Sequence, residues 1–139
     1  MKRILLLLAT SIILSICANA QLTKQTESYY QNKFAEIVRG QKEVVLDDRT
    51  RVDIVTDSFA IEVDFADKWA EGIGQSYHYG MKLKKKSGIL LVVNGKFDDR
   101  FVQILMPHAV ELGITVWVMD YTTDRWYRIK PVMIYPYHF

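Results

Sequence analysis

The chain has 139 residues, half of them hydrophobic and 24% charged, a length that suits one domain with its own core. Its 18 basic and 16 acidic residues balance once Lys2 and Arg3 are set aside, which argues against a protein that coats nucleic acid generically. Its one cysteine, Cys17, lies among the first 20 residues, so the rest has neither disulfides nor thiol chemistry to draw on.

Residues 1–20 read as a signal peptide. Lys2-Arg3 is the basic start, residues 4–17 are the apolar run, and Ala18-Asn19-Ala20 is a small-residue cleavage site, giving a start at Gln21. The run is short and interrupted for a membrane span, with an uncleaved anchor as the alternative. Ile16 stands where a lipidated Cys17 would need a small residue. The expected location is therefore periplasmic or secreted, with no membrane attachment after cleavage.

The remaining domain, 21–139, takes an α/β pattern. Tyr30, Phe34, Ile37 and Val38 fall at helical spacing over 27–39, and Gly40 follows as a C-cap. Glu36 on this helix is weighed as a solvated acid ahead of a site acid. Residues 43–46 predict a strand and 47–50 a turn. A three-residue loop over 48–50 would pair Leu46 with Val52 and set Glu43 opposite Val55, on the face of Asp53. A two-residue loop would flip Glu43 away.

Residues 51–56 and 59–65 predict a hairpin around Asp57-Ser58. Thr56 then faces Phe59, Asp53 faces Glu62, and Arg51 faces Asp64 as a cross-strand ion pair. Opposed Cβ atoms lie about 5 Å apart. Two acids so placed repel unless they are neutralised or simply face solvent, and a hard cation such as Mg²⁺ or Mn²⁺ would neutralise them. A helix follows over 66–83. Lys68, Gly72, Gln75 and Tyr79 share an arc of roughly 60° on it. Ala66, Trp69, Ala70, Ile73 and Tyr77 form the apolar stripe expected to face the core. Gly72 and Gly74 suggest close backbone approach to a sheet or ligand.

The run Lys82, Lys84, Lys85 and Lys86 suits a helix C-terminus and solvent better than phosphate contact. Residues 88–93 read as a buried strand, 97–112 as a helix ending at Gly113, 114–119 as another buried strand and 126–129 as an edge strand. Pro131 and Pro136 bracket an irregular tail over 132–139. His78 and His108 read as structural, and no histidine pair has zinc-ligand spacing. No phosphate-cradling loop, dinucleotide fingerprint or serine-hydrolase elbow is present.

Asp53, then Glu62-Val63-Asp64, then Lys68 and Gln75-Ser76-Tyr77-His78-Tyr79 resemble the PD-(D/E)XK nuclease superfamily, the restriction-endonuclease-like fold, over roughly residues 28–130. The resemblance implies an antiparallel meander carrying the acids, followed by a helix and further strands with flanking helices. Asp64 stands where that family places a lysine, and Lys68 is the candidate for a lysine moved onto the helix. Gln75 and Tyr79 match the Gln-x-x-x-Tyr motif of the recombination-nuclease branch. The resemblance implies a metal-dependent phosphodiesterase on nucleic acid, with DNA preferred over RNA. Asp53 and Glu62 would hold Mg²⁺ or Mn²⁺, with the Val63 carbonyl and Glu43 as further ligands. Lys68 would stabilise developing charge, and Gln75 and Tyr79 would contact phosphate or position water. The rival expectation is a non-catalytic binding or structural domain that keeps the fold.

Overall fold

A computed structural model describes residues 23–129. The expected signal peptide, its cleavage site and the tail over 132–139 lie outside the described residues. Nine regular elements follow in order: α1 (Glu27–Val38), β1 (Gln41–Val45), β2 (Arg51–Val55), β3 (Phe59–Phe65), α2 (Trp69–Leu83), β4 (Lys86–Val93), α3 (Asp99–Glu111), β5 (Thr115–Asp120) and β6 (Arg125–Ile129). Short 3₁₀ turns at Ala66–Lys68 and Gly95–Asp98 lead into α2 and α3. No helix among the described residues is long and apolar enough to cross a membrane.

The α/β class holds. The strands form one mixed six-stranded sheet in sequence order. β1, β2 and β3 are an antiparallel meander. β3, β4 and β5 are parallel, which requires the crossovers supplied by α2 and α3. β6 closes the far edge antiparallel to β5. Burial on both faces explains the continuous apolar run of β4. On one face, Tyr30, Phe34 and Ala35 of α1 pack on Ile54, Ile61, Val63, Leu90, Val92, Trp117 and Met119. On the other, Leu105 and Ala109 of α3 pack on Ile89, Leu91, Val93, Val116 and Val118.

The hairpin register is the expected one, with Ile54 opposite Ile61 and Val55 opposite Ala60. Three expectations need correction. The β1–β2 loop is Asp47-Asp48-Arg49 and not 48–50, so Val44 and not Leu46 pairs with Val52. The Asp48 carboxylate accepts from the Thr50 amide and hydroxyl, and Arg49 takes a left-handed φ of 70°. These close the turn one residue early. Arg51 does not meet Asp64. Its Nε lies 2.7 Å from Glu43, because β1 and β2 are in register there while Asp64 turns under α2.

The third correction is rotational. Tyr77 is 41% exposed and Ala70 is also exposed. The buried residues of α2 are Gly72, Ser76, Tyr79 and Gly80. Small residues four apart let the helix sit close on the sheet. A Cβ at Gly72 would stand 3.1 Å from the Asp64 carboxylate, and one at Gly80 would collide with Ser87. Close approach outweighed side-chain size in choosing the face. Trp69 and Ile73 of the expected stripe do pack, toward the α3 cluster.

Candidate functional site

Alternation along β3 sorts its residues. Phe59, Ile61 and Val63 enter the α1 cluster, so Ala60, Glu62 and Asp64 lie under α2. Two carboxylates are thereby buried, Glu62 to 7% and Asp64 to 4% exposure, and Glu62 Oε2 and Asp64 Oδ2 have no hydrogen-bond partner. Such groups are rare, because an unpaired buried acceptor costs about 1–3 kcal/mol, and more when charged. Gly72 leaves the room that Asp64 occupies.

Asp53 completes the group from the neighbouring strand. The β2–β3 ladder stops at Ile54–Ile61, and beyond it Asp53 Oδ2 accepts from the Val63 amide at 2.8 Å. The two strands fork there, with a side chain in place of a backbone carbonyl. A strand residue projects its N–H and C=O to the same edge, so the Val63 carbonyl also points into the fork. Gln31 of α1, itself buried, braces it. Its amide donates to the Asp53 carbonyl at 2.9 Å, to Asp53 Oδ1 at 3.4 Å and to Glu43 Oε1 at 2.5 Å. Glu43 has a left-handed φ of 57° inside β1. Gln31 engages one Glu43 carboxylate oxygen and Arg51 the other, so Glu43 braces Gln31 from β1.

The electrostatics follow from burial and crowding. Burial, then Asp53 and Asp64, push the Glu62 carboxyl up to about 9. Burial, then the charge of Glu27, push Asp64 up to about 7, against the pull of Lys68. Burial pushes Asp53 up to about 6, against the bond from Val63. Lys68 Nζ lies 3.3 Å from Glu27 and 3.8 Å from Asp64, and its charge also lowers Glu62. The candidate lysine thus reaches the acid group through Asp64.

Tyr79 is 4% exposed and packs with Val52 and Ala60. Burial, then the charges of Glu62 and Asp53, push its phenol up to about 12. Gln75 is exposed and makes no hydrogen bond to these acids among the described residues, so the two ends of the Gln-x-x-x-Tyr spacing part company. His78 bonds Asp48 at 2.8 Å and His108 stacks on Trp69, both structural. Lys82 pairs with Asp47 and Lys85 holds the Asp57 carbonyl. Glu36 is exposed.

Glu27, Gln31 and Asp64 are the residues that sequence reasoning passed over as site members. Gln31 had a readable signal, being a polar residue beside Tyr30 on the apolar stripe of α1. Glu27 lies one turn earlier on the same helix. Every donor in the group is a hard oxygen, and two are orphaned, which suits a hard cation in chemistry. No set of three or more His, Cys, Asp or Glu side chains is arranged as a preformed cage among the described residues. Mg²⁺ needs only one or two carboxylates, since it keeps waters and takes substrate phosphate. Compared with known proteins, the chain matches no family model, no curated protein and no solved structure.

Proposed function

We propose that this is a restriction-endonuclease-like domain acting as a Mg²⁺- or Mn²⁺-dependent nuclease, with DNA as the preferred substrate. The observation that carries the reading is the acid group at the β2–β3 fork: Asp53 beside buried Glu62 and Asp64, each of the latter with an unpartnered oxygen. The order α-β-β-β-α-β, with β3 and β4 parallel, supports the fold.

Asp53, Glu62 and the Val63 carbonyl would hold the cation, which when bound would supply Lewis-acid polarisation and an acidified water. In the reaction a water oxygen forms a bond to phosphorus, the ester P–O bond breaks, and the leaving oxygen takes up a proton. The chain's own groups divide the remaining work. Asp64, outside the ligand set and with its carboxyl pushed up to about 7, would take the proton that water gives up, while cation binding would hold Glu62 in its ionised form. Lys68, steered by Glu27 and Asp64, would set positive charge against the phosphoryl oxygens as they gain negative charge. The Tyr79 hydroxyl stays protonated at neutral pH and can donate to phosphate or water.

The second reading, a non-catalytic domain, is favoured by one observation: the Lys68 ion pairs are with Glu27 and Asp64 and not with Asp53 or Glu62. Incubating the protein with single-stranded DNA, duplex DNA and RNA, in Mg²⁺ or Mn²⁺ and with chelator, separates the two. Metal-dependent hydrolysis that Glu62→Gln abolishes is the expected result. Intact substrates in both metals would establish the non-catalytic reading.

A further inference from the structure

At the amino end of the parallel strands, opposite the acids, the α1 face of the sheet opens into a cleft of about 390 Å³. It lies between the end of α1 (Val38, Arg39), the β2–β3 loop and the rings of Phe59 and Trp117. Those rings stand edge to face with centroids 5.1 Å apart. Two further cations adjoin them. Arg128 lies 5.8 Å from the Trp117 ring and 5.9 Å from Phe59, and Lys86 lies 5.8 Å from Phe59. Arg39, Lys86 and Arg128 make no salt bridge among the described residues, while Asp57 is the acid on the lining.

From this we infer that the cleft is a binding site for single-stranded nucleic acid, gripping one or two unpaired bases and their phosphates. The half-buried Phe59 ring, backed by Trp117 at 7% exposure, offers a stacking edge to a base. Three unpaired cations around it match the phosphates on either side. Arg is suited to both tasks, because its planar guanidinium stacks and also forks onto phosphate oxygens. The lining joins Val38, Phe59 and Ile61 to Arg39, Thr56 and Ser58, a mixture that suits a ligand with both flat apolar and anionic parts. Duplex DNA hides its base faces and could offer only its backbone. The site is separate from the acid group, since α1, about 18 Å long at 1.5 Å per residue, runs from Arg39 at the cleft back to Glu27 beside Lys68. A strand held here has that length to cover before it reaches the acids. The inference takes its ligand class from the nuclease reading but not its evidence.

Fluorescence anisotropy with a labelled oligothymidylate of about twelve nucleotides, long enough to cover one such site, tests it. Chelator is present throughout, so hydrolysis plays no part. The protein is expected to bind the single strand at least fivefold more tightly than a duplex of equal length, and less tightly as salt rises. Arg39→Ala with Arg128→Ala should weaken binding about tenfold or more, while Arg100→Ala on α3, which packs on the opposite face of the sheet, leaves it unchanged. Phe59→Leu, checked for folding by circular dichroism, should cost affinity at high salt too. Lack of binding, equal affinity for duplex, or full affinity in the double variant would overturn the site. If nuclease activity is absent but this binding pattern holds, the nuclease reading fails and the cleft stands.

Discussion

The two ends of the parallel strands are built in opposite ways. At the carboxyl end, Glu62 and Asp64 are sealed under α2 with unmatched oxygens, and Asp53, Glu27 and Lys68 crowd beside them. At the amino end, Arg39, Lys86 and Arg128 stand around an open aromatic cleft, in reach of water. A chain with almost no net charge thus carries strong local charge of both signs. Buried acids at one end are expensive and positioned to within a bond, which suits chemistry. Exposed cations over rings are cheap and forgiving, which suits grip. Overall charge conceals this division.

Variants at each end should therefore fail differently. The largest effect is expected from Asp53→Asn and Glu62→Gln. Either should lower turnover by about 10³-fold or more, since catalysis of this kind leans on the fixed charge at the reacting centre. Either should also remove the rise in melting temperature that millimolar Mn²⁺ gives the wild type. Lys68→Ala comes next, with about a 10²–10³-fold loss in kcat and little change in substrate affinity. Lys85→Ala, placed near the other end, should instead weaken affinity modestly and only at low salt. A Lys68→Ala protein that lost affinity and kept kcat would erase the distinction between the ends.

Stability against pH sharpens the same contrast. Unfolded carboxyls titrate near pH 4, whereas Asp53, Asp64 and Glu62 hold their protons to about 6, 7 and 9 in the fold. Between those limits the native state binds more protons than the unfolded one, so metal-free stability should fall as pH climbs from about 4 to about 9. Denaturant melts at a series of pH values check this. Glu62→Gln should remove the upper part of the fall, and a flat profile in the wild type would contradict the buried-acid geometry. The smallest effect is expected at Gly72. Gly72→Ala would crowd the Asp64 carboxylate at 3.1 Å and should change stability by about 1 kcal/mol, while lowering metal-dependent turnover.

The hairpin was legible because Thr56 to Phe59 leaves little choice of loop, but the loop did not report that the strands part after Ile54–Ile61, so that Asp53 takes the Val63 amide in place of the direct pairing with Glu62. The helix positions were legible from spacing, but the buried face of α2 was not. Spacing reports where apolar residues recur, and here contact was chosen by Gly72, Ser76 and Gly80, which carry almost no hydrophobic signal. Asp64 was misassigned for a related reason. A strand pattern shows that residue 64 shares a face with Glu62, but not that a helix will cover that face and turn a surface ion pair into a buried acid. Glu27 joins the site from another helix, across 26 residues or more of chain, and no local pattern reports such a meeting.

Glu43 has a consequence beyond the site. β1 is an outer strand of the sheet and mostly exposed, the kind of border on which a second chain can add itself. A left-handed residue at its centre turns one peptide out of line and breaks the row of donors and acceptors that such an addition would copy. The residue that braces Gln31 thereby also interrupts an edge open to self-association, and straightening it should be felt in solubility.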